Sequence, residues 1–97
     1  MSYTITNEIR ERAKKLGIVV KPSKNPDKKL DAYKDGEFQT SFGARGYKDY
    51  HVYKRTEGLK VANEKRQQYK ARHEKDRHIK YRDGKMTAGY LADKILW

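Results

Sequence analysis

The stretch Leu30-Asp31-Ala32-Tyr33-Lys34-Asp35-Gly36-Glu37-Phe38-Gln39-Thr40-Ser41-Phe42 decides the fold. Two strand-like runs flank Asp35-Gly36, a dipeptide whose tolerance of positive φ suits a two-residue type I′ hairpin turn. Alternation places Leu30, Ala32 and Lys34 on one face and Tyr33 on the other, and gives Phe38, Thr40 and Phe42 a common face on the returning strand. A lone hairpin is marginal in water. Helices must therefore cover one side, with the β-branched run Ile18-Val19-Val20 available as a third strand.

Upstream, Thr4 or Thr6 is placed to cap a helix over residues 7–16, where Ile5, Ile9, Ala13 and Leu16 recur at helical spacing and Gly17 supplies the stop. Pro22 ends the following strand, and the turn-rich residues 23–27 are expected to be the most flexible stretch. Downstream, Gly43-Ala44-Arg45-Gly46 breaks the strand pattern. Tyr47, Tyr50, Val52 and Tyr53 then read as either a short helix or an irregular aromatic loop. Residues 59–80 form the longest helical pattern, free of Gly and Pro, with Leu59, Ala62, Tyr69 and Ile79 as packing residues. Residues 81–85 read as a turn. Residues 87–97 are apolar enough to dock as a final helix with Leu96 and Trp97 buried. The expected fold is α+β, a single domain over 1–97. In it a small β-hairpin or three-stranded antiparallel sheet packs against a long basic helix and a C-terminal helix, with an N-terminal helix and short strand in 1–20.

Composition narrows the function. With 97 residues, 35% hydrophobic, the chain has enough for one thin core. Charged residues reach 38%, which approaches the disordered class, but eleven aromatic side chains argue for a folded interior. The absence of cysteine excludes a disulfide scaffold, cysteine-ligated zinc and a thiol nucleophile. The beginning, MSYTITNEIRERAKKLG, has no apolar signal region, and no run approaches the ~20 apolar residues of a membrane span. The expectation is a protein that is neither secreted nor membrane-bound.

The formal charge of +11 favours polyanionic or acidic partners. Between residues 60 and 82, nine basic side chains stand against three acidic ones, leaving +6, more than half of the excess. This reads as a phosphate-tracking helix, since neutralising phosphates releases counterions and gives salt-dependent affinity. It is equally the pattern of a solvated helix with pairs such as Glu74 and His78. The tyrosines at 47, 50, 53 and 69 interleave with Arg45, Lys48, Lys54 and Arg55, the composition of a surface that stacks bases. Most of these rings also suit the edge of a small core. The candidate nucleic-acid-binding residues are Arg45, Lys48, Lys65, Arg66, Lys70, Arg72, Arg77 and Lys80.

Catalytic and metal signatures are missing. His73 and His78 lie at i,i+5, about 140° apart on a helix, so one helix cannot aim both at a single metal. Ser23 and Ser41 sit in no nucleophile elbow, and Gly43 to Gly46 lacks the spacing of a phosphate-cradling loop. No cofactor, metal or catalytic residue is expected.

Three blocks in order carry a resemblance: Ser41-Phe42-Gly43-Ala44-Arg45-Gly46-Tyr47-Lys48-Asp49-Tyr50, then Tyr69-Lys70-Ala71-Arg72-His73-Glu74-Lys75-Asp76, and finally Thr87-Ala88-Gly89-Tyr90-Leu91-Ala92-Asp93-Lys94-Ile95-Leu96-Trp97. Together they resemble a family of small basic proteins of giant DNA viruses and large tailed phages, over residues 28–97. The closing block has one tryptophan where some members have two. The resemblance implies a viral setting, in the virion or the host cell interior, and no particular mechanism. The leading expectation is a virion- or genome-associated protein that binds nucleic acid, taken as DNA, without catalysis. The alternatives are a minor capsid or cement protein facing an acidic viral coat protein, and a small nuclease or nuclease accessory factor.

Overall fold

A computed structural model describes residues 3–97. Helix α1 (Asn7–Lys15) leads into strands β1 (Val19–Pro22), β2 (Lys28–Lys34) and β3 (Glu37–Ala44). Helices α2 (Tyr50–Glu57) and α3 (Leu59–Arg72) follow, then a ribbon of β4 (Tyr81–Arg82) and β5 (Lys85–Met86). Helix α4 (Ala88–Leu91) closes the chain by running into a π-helical turn, Ala92–Leu96. The class is α+β, with an antiparallel sheet of order β1-β2-β3. No helix among the described residues is long and apolar enough to cross a membrane.

The hairpin turns at Asp35 and Gly36, both at positive φ (51° and 79°), as a type I′ turn requires. Its alternation departs from the expected one at a single point. A bulge sets Thr40 opposite Ala32 but Phe38 opposite Tyr33, so Gln39 is the extra residue. Phe38 therefore shares the outer face with Tyr33, ring centroids 5.7 Å apart, and leaves the face of Thr40 and Phe42. Gln39 turns inward in its place, where its carbonyl oxygen accepts from the Met86 N–H at 3.1 Å. The bulge thus attaches the β4–β5 ribbon to the sheet.

Val20, Leu30, Ala32 and Phe42 form the inner face of the sheet and are all buried. Two segments cover them. From α1, capped by the Thr6 hydroxyl on Ile9 N–H, come Ile9 and Ala13; from the C-terminal segment come Leu91, Ile95 and Leu96. Leu96 is buried as expected, whereas Trp97 is only half-buried. Fully burying a Leu or Ile contributes about 1.5–3 kcal/mol, so these C-terminal aliphatics supply a large part of a thin core.

Helix α3 lies one layer further out, packed on α2 and reaching the C-terminal segment through side chains. It ends at Arg72 and does not continue to residue 80. Residues 73–78 instead turn back on themselves, with Arg77 N–H donating to His73 C=O and Ile79 N–H to Asp76 C=O. The turn lets Arg77 reach the buried carboxylate of Asp93 (3.7 Å) while pairing with Glu74 (2.8 Å). Ile79 and Leu59, expected as packing residues, are exposed.

The loop expected to be flexible, 23–27, is stitched down. Asp31, buried on the outer face of β2, accepts from Ser23 Oγ (2.6 Å), Ser41 Oγ (2.5 Å) and the Lys24 N–H (3.1 Å). Burial pushes the Asp31 carboxyl upward, but these donors prevail and hold it below its ordinary value. A lowered folded-state value means that Asp31 contributes stability fully present above the unfolded value of about 4 and lost as pH falls through the folded one. Asp31→Asn should cost about 1–3 kcal/mol at neutral pH and flatten the acid limb of the stability profile, measured by urea unfolding between about pH 2 and 7.

Gly43 is required twice over. Its φ of +81° lies in the left-handed region, and a Cβ there would stand 2.6 Å from Leu96 Cδ1 and 3.3 Å from Lys29 Cβ. Gly43→Ala should lower stability by about 2–4 kcal/mol, read as a fall in the urea midpoint with an unchanged slope.

Candidate nucleic-acid interface

Three segments meet here: residues 43–49 at the end of β3 and after it, residues 65–73 at the end of α3, and the C-terminal residues 88–97. These three segments enclose a cleft of about 470 Å³. Residues of each segment contribute to its lining. One wall is aromatic. Trp97 and Tyr69 stack with centroids 4.5 Å apart and planes 10° from parallel, His73 continues the stack on Tyr69 at 4.3 Å, and Tyr53 leans on Trp97 at 6.2 Å. Tyr47, also in the lining, is 75% exposed.

Cations ring this aromatic wall. Lys48 and Lys65 lie 5.6 and 5.8 Å from the Tyr53 centroid, and Arg72 ends α3 at the cleft lining. The Lys48 ammonium is raised above its ordinary pKa by its hydrogen bond to Glu57, at 2.8 Å. Burial, reinforced by Asp93 and Asp76, pushes the Tyr69 phenol up to about 12, so it remains a neutral ring at any physiological pH.

The floor is polar and fixed. Lys29 and Asp49, both buried, form an ion pair at 3.0 Å. Asp49 also caps α2 by accepting from the Val52 N–H at 3.0 Å, and accepts a short hydrogen bond from the Tyr3 hydroxyl. The carboxamide of Gln68 completes the lining with both a donor and an acceptor.

The eight basic residues singled out by the sequence fall into distinct settings. Lys48, Lys65 and Arg72 line the cleft. Arg45 lines an adjoining hollow of about 230 Å³ that shares Lys29, Tyr47 and Lys48 with it. Arg66, Lys70 and Arg77 are engaged with the C-terminal segment. Arg66 donates to the Trp97 main-chain oxygen at 2.7 Å and stacks 3.6 Å from the Tyr50 centroid, while Lys70 pairs with Asp93 at 2.7 Å. Lys80 lies over Tyr81 and Tyr90 and is not part of the cleft lining. Sequence patterning did not single out Lys29, Gln68 or Trp97 as site residues, and nothing local in the chain marks them.

Among the described residues no three His, Cys, Asp or Glu side chains gather as a metal site. His51 is held between Glu8 (3.1 Å) and the Ile95 carbonyl (2.8 Å), and His78 pairs with Glu74 as the i,i+4 spacing suggests. Compared with protein-family models, curated proteins and solved structures, the chain gives no match.

The cations holding the C-terminal segment and those lining the cleft should separate in a charge-reversal series. Lys70→Glu removes the nearest cation from buried Asp93 and sets a second carboxylate beside it, and should cost about 3–5 kcal/mol, whereas Lys65→Glu and Arg72→Glu should stay within about 0.5 kcal/mol. Thermal unfolding of the three variants side by side gives the comparison.

Proposed function

We propose that this protein binds nucleic acid without catalysis, through the aromatic cleft and its cationic surround, as a virion- or genome-associated component of a viral system. The observation that carries this reading is the convergence of Trp97, Tyr69 and Tyr53 with Lys48, Lys65 and Arg72 around one concavity. Lysine and arginine meet phosphates, aromatic faces meet bases, and the two together are the equipment of sequence-tolerant nucleic-acid binding. The viral part of the reading rests on the three-block resemblance, whose blocks all line the cleft.

Affinity for an oligonucleotide should fall steeply between about 50 and about 200 mM salt, with log K linear in log salt. Lys65→Glu and Arg72→Glu should each weaken binding and reduce that slope by about one. Binding that is flat in salt, or unaffected by both substitutions, would remove the cleft from the interface. Fluorescence anisotropy across a salt series measures both quantities.

A capsid or cement role stands second, favoured by one observation. Val19, Tyr33 and Phe38 are cross-strand neighbours on the outer face of the sheet, with Val19 and Phe38 exposed. Such a row suits a protein partner, and Phe38→Lys would weaken association with capsids under that role.

A further inference from the structure

We propose that the cleft receives an unpaired nucleobase, so that the protein selects single-stranded over duplex nucleic acid. This rests on the nucleic-acid reading above and adds to it the state of the strand that is bound. The starting point is the shape of the site. A concavity of about 470 Å³ is of small-ligand size, and its aromatic wall is set inside it. A duplex presents phosphates on its outside and keeps its bases stacked within, so it would meet the cations at the rim but not the rings. A strand whose bases are splayed can offer both at once.

The wall is already built for stacking. Trp97 stacks on Tyr69 at 4.5 Å and meets Tyr53 only at a tilt, 6.2 Å away, while Tyr69 is braced in turn by His73. Rings held by neighbours lose little freedom when a base packs on them, so the contact is preorganised. Tyr47, largely exposed and also part of the lining, adds a further ring face that a base can meet. Lys48 and Lys65 stand beside Tyr53, near enough to receive the phosphate of the same nucleotide. The exposed carboxamide of Gln68 offers both a donor and an acceptor to a base edge. The complete site therefore matches one nucleotide unit, either within a strand or free.

Trp97 is the single tryptophan of the chain, so its fluorescence reports from the wall of the cleft. The full-length protein is titrated, at one fixed salt concentration, with an oligothymidylate of about twelve nucleotides, the matching duplex, a nucleoside monophosphate and inorganic phosphate. The single strand should quench Trp97 and bind about 5- to 100-fold tighter than the duplex. Inorganic phosphate should leave the fluorescence unchanged. Tyr47→Ala, an exposed position whose loss spares the core, should remove most of the single-strand advantage.

Equal affinity for single strand and duplex, with no quenching and a neutral Tyr47→Ala, overturns the base-in-cleft assignment and leaves the general nucleic-acid reading standing. A monophosphate that binds as tightly as the strand overturns the strand selection and assigns the cleft to a free nucleotide. Failure to bind any nucleic acid at low salt overturns both readings.

Discussion

The ion pair between Lys70 and the fully buried Asp93 joins the two layers of this molecule. One layer is the sheet with α1 and the C-terminal segment, which together hold the aliphatic core; the other is the α2–α3 helical pair. Removing a carboxylate from water costs several kcal/mol, and only close cationic partners offset it. Asp93 has Lys70 at 2.7 Å, with Arg77 and Lys94 at 3.7 and 3.8 Å. Its second oxygen faces Arg77 and Lys94 and has no hydrogen-bond partner among the described residues. Arg66 on the Trp97 main-chain oxygen and Arg12 and His51 on the Ile95 carbonyl extend the same tie. The carbonyls that a closing helical turn leaves without partners are thereby satisfied by side chains from all three longer helices.

This arrangement explains how a chain with so much positive charge keeps a fold. Among these cations, Arg66, Lys70 and Arg77 anchor the C-terminal segment, whereas Lys48, Lys65 and Arg72 line the cleft. The first group is fixed by Asp93 and main-chain carbonyls. In the second, Lys48 pairs with Glu57 in an exposed bridge, of a kind that contributes at most about 1 kcal/mol and is readily exchanged for another anion. The cleft surround therefore remains available for a ligand while the anchors remain committed to the fold.

Much of the fold was legible because short-range chemistry and tertiary packing agree. Asp35-Gly36 can form the hairpin turn by itself, and Thr6 with Gly17 brackets α1 whatever surrounds it. The failures are the places where distant residues override the local pattern. Nothing around Gln39 announces a bulge, because its cause is the Met86 N–H, 47 residues away. Nothing between 59 and 80 forbids a helix; the chain turns at His73, where Arg77 reaches back to Asp93. The site was half legible for the same reason. Its basic and aromatic ingredients stand out in composition, but their grouping depends on bringing residues 43–49, 65–73 and 88–97 together, which no periodicity encodes.

The cleft straddles the two layers: Lys65, Gln68 and Tyr69 belong to α3, whereas Gly43, Ala92 and Leu96 belong to the sheet side. The helical pair buries few side chains of its own, chiefly Tyr50, His51 and Ala62, so it is the part held most by polar ties and least by apolar packing. Such a unit can detach while the remainder stays native, at a free energy below that of global unfolding. The lifetime of the recognition site is then governed by this partial opening, and amide exchange along α3 reports it more directly than the melting temperature of the whole protein.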